Sequence, residues 1–227
     1  VSSSTRTTIR RFVAAVSVAG AVLAASGCSG AGIDAGAAAI VGDRRISVAE
    51  LQTATTQINV LADPGGAAPE RRLDQRTVLS FLVTGPYFVD AATRANVGVS
   101  QADAERLFED FTYENPVTKK VTRFVDPLTG ATTPSEAAVT AVRGVLARQN
   151  VLPRQDGSGP TEAQAVATLN DISKQLQATK VSVNPRYGTL EKVFDPQGQG
   201  VFPVNPSDPD WLVKSAAEPA ATLPPAP

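Results

Sequence analysis

One side chain in this sequence stands where its neighbours give it a reaction: Cys28, the single cysteine among 227 residues. It closes the stretch Leu23-Ala24-Ala25-Ser26-Gly27-Cys28. Ahead of it lie an apolar run, residues 12–25 (FVAAVSVAGAVLAA), and a basic start with Arg6, Arg10, Arg11 and no acid. A basic segment, a short apolar segment and small residues before a cleavage point make a secretory signal. The run is shorter than the roughly 20 residues a membrane span needs. A cysteine directly after the small residues adds chemistry: its thiol takes a diacylglyceryl group and becomes the N-terminus of a lipoprotein. The large aliphatic residue expected three places before the cysteine is Ala25, with Leu23 two places further back, so the lipobox is degenerate. The competing reading is a plain secretory signal with an incidental thiol, and an unpaired thiol is a liability in an oxidising compartment. Buried CH₂ groups contribute about 0.8 kcal/mol each, and two acyl chains hold where one is marginal.

The rest of the chemistry is bounded by what is missing. There is no histidine, which removes Ser-His-Asp and Cys-His catalysis, His-ligated zinc and the commonest near-neutral base. No glycine-rich phosphate loop or EF-hand loop is present. Glu105, Glu109 and Asp110 lie together on one expected helix, but a carboxylate hydrolase needs two acids facing across roughly 5–10 Å. A solvated helix face is the better reading. Without residues 1–27 the chain keeps 18 of its 21 basic residues against 22 acids, a mildly acidic balance that does not suit nucleic acid. The expectation is no enzyme, no metal and no cofactor.

Six aromatics crowd residues 81–113: Phe81, Tyr87, Phe88, Phe108, Phe111 and Tyr113. Most read as core. Tyr87, Phe88 and Tyr113 flank breaks in helical periodicity, and they are the candidates for lining an apolar groove that takes extended peptide.

The elements that would position these residues follow from local signals. Ala39-Ile40-Val41 and Arg44-Arg45-Ile46 read as hairpin arms around Gly42-Asp43. Ser47 and Glu50 form a capping box, with Leu51, Ala54, Ile58 and Leu61 striping the helix behind it and Asp63-Pro64-Gly65-Gly66 ending it. A second helix should run from about Pro69 to Val83, with Gly85-Pro86 interrupting it as a break or a kink before it continues from Tyr87 to Asn96. Ser100 opens a third, with Ala104, Leu107, Phe108 and Phe111 inward. Residues 113–133 read as a long loop with room for a β-arm at Val121–Val125. Helices follow at Pro134–Gln149 and, after a linker at residues 153–160, from the Thr161/Gln164 capping box with Val166, Leu169, Ile172 and Leu176 as its stripe. Val181-Ser182-Val183 alternates like a strand, and the unpaired edge that suits it is the N-terminal hairpin.

AAIVGDRRISVAEL resembles the opening of the SurA N-terminal-like chaperone domain, which also occurs in PrsA-type foldases. NVGVSQADAERLF is similar to that family's next recurring element, and VSVNPRYGTLE to the closing segment of lipoprotein members in high-GC Gram-positive bacteria. The resemblance covers about residues 37–190. It implies an extracytoplasmic folding helper whose helical domain cradles unfolded or newly exported chains. Residues 113–160 are too few for the family's parvulin domain, whose site also needs paired histidines, so isomerase activity is not implied. The expected fold is α+β, mainly α, a helical bundle with a small sheet made by an N-terminal hairpin and a C-terminal strand. The expected organisation is a signal over 1–27, a tether over 28–38, the helical domain over 39–190 and a proline-rich, largely irregular tail over 191–227. The expected partners are non-native exported polypeptides and, through the lipid anchor, the extracytoplasmic face of the membrane. The alternative is an envelope scaffold docking one folded partner.

Overall fold

Backbone pairing starts at the hairpin. The computed structural model describes residues 36–66, 68–154, 156–194 and 202–206. The signal segment, Cys28, most of the tether and residues 207–227 lie outside them. Strand β1 (Ala37–Val41) runs antiparallel to β2 (Arg44–Ser47), with Ala39 opposite Ile46 and Val41 opposite Arg44. Gly42 turns the chain at φ 57°, a left-handed value that glycine adopts without steric cost. Ser47 then caps α1 (Val48–Ala62): its hydroxyl accepts the Glu50 N–H at 3.1 Å, and the Glu50 carboxylate accepts the Ser47 N–H at 2.7 Å. Leu51, Ala54 and Ile58 are buried as their spacing predicts. The helix stops at Asp63, whose carboxylate accepts from Ala68 N–H and, at 2.8 Å, from Arg72.

The second helix differs from its sequence reading at both landmarks. Pro69–Arg71 is a single 3-10 turn, and α2 (Gln75–Arg94) begins only where Asp74 accepts the Thr77 N–H. Pro86 does not interrupt it. A proline inside a helix has no N–H to give the carbonyl four residues back, here Leu82. The Arg44 guanidinium on β2 donates to that carbonyl at 2.8 Å, so the missing bond is replaced from outside the helix.

Next to the proline, Gly85 meets Gly144 of α4 (Glu136–Val151). A Cβ on Gly144 would stand 2.5 Å from the Gly85 Cα, so the helices cross with backbones in contact. Val78, Leu79, Leu82 and Val83 of α2 and Ala138, Ala141, Val142 and Ala147 of α4 are buried in the same core. Ser100 and Asp103 form the capping box of α3 (Gln101–Glu109), on which Ala104 and Phe108 are buried while Leu107 is 45% exposed. Leu107 therefore does not face inward as its spacing suggests.

Thr161 and Gln164 cap α5 (Glu162–Ala178), which leads into β5 (Val181–Val183). This strand returns to β1 antiparallel, pairing Ala39 with Val183 and Val41 with Val181. The sheet order is β2-β1-β5, so the late strand fills the edge that the hairpin leaves open. Asn184 fastens the join, donating through its backbone to the Ala38 carbonyl and through its side chain to that of Ala37. The fold is α+β and mainly helical, with a small sheet that joins the N-terminal hairpin to a strand late in the chain. The body also extends past residue 190. Strand β6 (Thr189–Leu190) pairs with β7 (Val204–Asn205), Phe202 is wholly buried, and Ser80 donates to the Phe202 carbonyl at 2.7 Å. Gly188, at φ 115°, lies so close to the Asn205 carbonyl that a Cβ would overlap it.

The crossing gives a test with a definite sign. In an ordinary helix, Gly→Ala stabilises by about 1 kcal/mol. Gly144→Ala should instead destabilise residues 32–227 by about 1–3 kcal/mol, the usual cost of overpacking. Urea unfolding monitored by circular dichroism measures it, and an unchanged or raised midpoint refutes the contact.

Candidate functional site

The three aromatic candidates are separated in role. Tyr87 is half-buried, and its hydroxyl donates to the Thr179 hydroxyl at 3.0 Å, linking α2 to the end of α5. Phe88 is 2% exposed and packs 6.2 Å, centroid to centroid, from Phe202. A ring so enclosed has no face to offer a peptide, so Phe88 serves the core in this conformation. Tyr113 is half-buried, with its hydroxyl directly over Gly65; a Cβ there would stand 2.5 Å from it. Each ring joins two segments of the body: Tyr87 meets Thr179, Phe88 meets Phe202 and Tyr113 meets Gly65. Cys28 lies outside the described residues.

The acids are equally committed. Glu105 accepts from Gln101 one turn earlier, and Glu109 and Asp110 are exposed. Among the described residues the buried carboxylates are those of Asp63 and Asp126, and both are held by internal donors. Asp126 accepts from the Leu128 N–H, the Gln57 amide and the Thr129 hydroxyl. Gln57, also buried, accepts in turn from the backbone N–H and the hydroxyl of Ser135, both at 2.8 Å. Burial alone would raise the Asp126 carboxyl; its hydrogen bonds outweigh that and hold it below the ordinary value. Among the described residues no three acids or thiols gather as a metal site.

Two surface features stand out among the described residues, and neither involves the predicted rings as a group. The first is an open groove of about 680 Å³ where the chain beyond α2 faces the end of α4 and the first turns of α5. Ala95, Val97, Val151, Pro160 and Ala167 supply apolar wall; Asn150, Arg154 and Gln164 supply polar rim. The Asn150 amide donates to the Val97 carbonyl at 3.0 Å and Arg154 donates to Asn150 at 2.9 Å, which fixes one wall to the other. Sites for small ligands and peptide side chains span roughly 300–1,000 Å³ and pair apolar lining with a few polar groups. Small residues in a mid-sequence loop gave no signal for this groove, because it forms only when three chain segments meet.

The second is an arm. Strands β3 (Thr112–Glu114) and β4 (Val121–Arg123) pair antiparallel, forming the arm that the long loop had room for. Its root is locked: Phe124 packs edge-on against Phe108 at 5.0 Å, Asp126 is tied to Gln57, and Tyr113 rests on Gly65. All three residues of β4 are exposed, Val121 among them, Val125 is exposed between the buried root residues Phe124 and Asp126, and the tip exposes Val117 to 87%. At the tip Lys119 adopts φ 57°, a left-handed conformation that costs a non-glycine residue about 1–2 kcal/mol.

No protein-family model matches the chain, and no curated protein or solved structure matches it significantly. The resemblance to SurA-type domains thus rests on the residues quoted for it.

The Asp126 lock carries a pH dependence. Its folded-state pKa is depressed, so its stabilisation is full above the ordinary carboxylate value, about 3.9, and fades as pH falls through the lower folded value. Asp126→Asn replaces an acceptor by a donor facing Gln57 or Thr129, which should cost about 1–3 kcal/mol at pH 6. The gap between wild type and variant in urea should narrow towards pH 3; a gap of constant size contradicts the assignment.

Proposed function

We propose that this protein is an extracytoplasmic lipoprotein, anchored through Cys28, that holds unfolded or newly exported polypeptide without altering it chemically. The observation that carries the reading is the open groove between the chain beyond α2, the end of α4 and the first turns of α5. Its aliphatic walls take apolar side chains of any sequence, and its amide and guanidinium rim can satisfy a peptide backbone. A holder of non-native chains needs that combination: apolar area for affinity and backbone-directed polar groups for tolerance of sequence. The end-to-end sheet and backbone-level helix crossing keep the frame rigid, so binding orders the client alone.

Titrating a fluorescently labelled, permanently unfolded polypeptide against residues 32–227 tests the groove by anisotropy. Val97→Asp and Ala167→Glu should each weaken binding about tenfold, equivalent to about 1.4 kcal/mol, with unfolding midpoints unchanged. Failure of the wild-type body to bind unfolded chains or to slow client aggregation refutes the reading. Crosslinking in cells that yields one dominant folded partner would replace it with the scaffold alternative. The anchor is tested separately: metabolic labelling with a clickable palmitate analogue should mark the full chain and be lost in Cys28→Ala. Labelling that persists in the variant rules out lipidation at this thiol.

A further inference from the structure

We propose that the β3–β4 arm is a docking surface for an anionic lipid bilayer. Its solvent side combines two features that rarely stand together without use. Val117 at the tip, Val121 on β4 and Val125 at the root are exposed aliphatics, and Lys119, Lys120 and Arg123 stand among them. Glu114 is the arm's one exposed acid and is paired with Lys119 at 3.5 Å; Asp126 is buried at the root. The surface of the arm is therefore cationic, in a chain that from Cys28 onward has 18 basic residues against 22 acids.

That mixture selects its occupant. An interfacial bilayer region accepts short aliphatic groups below the headgroups and attracts Lys and Arg to anionic phosphates above them. A second copy docking arm to arm would set Lys and Arg against Lys and Arg, which is repulsive. A nucleic acid would use the cations and leave the valines in water. Lys119 also holds a positive charge at a left-handed position where glycine or asparagine is the usual occupant, so the tip keeps its cation against backbone preference. The locked root presents this surface already ordered, and docking forfeits little conformational entropy. The inference rests on the lipoprotein reading only for placing the arm near a membrane, where even weak contacts are reinforced by tethering.

Flotation of residues 32–227, which lack Cys28, with phosphatidylglycerol vesicles tests the arm independently of lipidation and of client binding. The body should bind these vesicles, bind pure phosphatidylcholine about tenfold less, and dissociate as salt shortens the screening length. Lys119→Glu with Lys120→Glu, and separately Val117→Asp, should each weaken binding at least about fivefold, with circular dichroism unchanged. No binding to phosphatidylglycerol vesicles, equal binding to both lipids, or indifference to the tip substitutions overturns the proposal. So does a result in which the same substitutions leave flotation intact but abolish self-association in sedimentation or capture of unfolded polypeptide.

Discussion

The body depends on how the chain manages the carbonyl of Leu82. Pro86 deprives it of its helical donor, and a buried acceptor left unpaired costs about 1–3 kcal/mol. Arg44 fills the vacancy from the adjacent sheet at 2.8 Å. Its guanidinium end is partly desolvated there, which lowers its pKa against the opposing influence of Glu50 and Glu136. One hydrogen bond thus lets α2 continue through a proline and fixes where the three-stranded sheet sits upon it. On the residue just before the proline the helix gives up its side chain altogether, and Gly85 admits Gly144 to backbone contact. The glycine and the proline read in sequence as an interruption. In three dimensions they are the joint between the sheet, α2 and α4.

That reversal shows where sequence reading reaches its limit. Signals closed within a few residues were legible: the capping boxes at Ser47, Ser100 and Thr161 start helices where their hydroxyl and acid or amide spacing says they should. The pairing of β5 with β1 was also legible, though the strands are far apart in the chain, because an open edge and an unpartnered alternating segment define each other. Pro86 was not, since the donor that rescues it is Arg44, on another element. The return of Phe202 to the core was hidden by the prolines around it. Strands β6 and β7 have two residues each, too few for alternation to show.

The candidate surfaces were less legible than the fold for a related reason. Clustered aromatics mark places that pack: Phe108 is buried as that rule implies, and Phe88, read from the sequence as a groove candidate, is buried with it. Exposed apolar surface falls instead on valines in a turn rich in lysine and threonine, whose pattern resembles any polar loop. Only the locking of Phe124 and Asp126 shows that the chain is anchored just after β4, which leaves the strand itself in water.

Helix α4 relates the two surfaces. Its cap residue, Ser135, donates to Gln57, which also holds Asp126 at the root of the arm. Its middle is fixed to α2 at Gly144 and, through Arg143, to the Val99 carbonyl at 2.7 Å. Its last turn carries Asn150 and Val151 of the groove. A helix of 16 residues at 1.5 Å per residue is roughly 24 Å long, so arm root and groove lie at opposite ends of one stiff rod. A surface contact made by the arm and a chain held in the groove would then be spaced by covalent geometry. The groove would remain open while the arm was engaged, because the helix between them is pinned at both ends and at its centre.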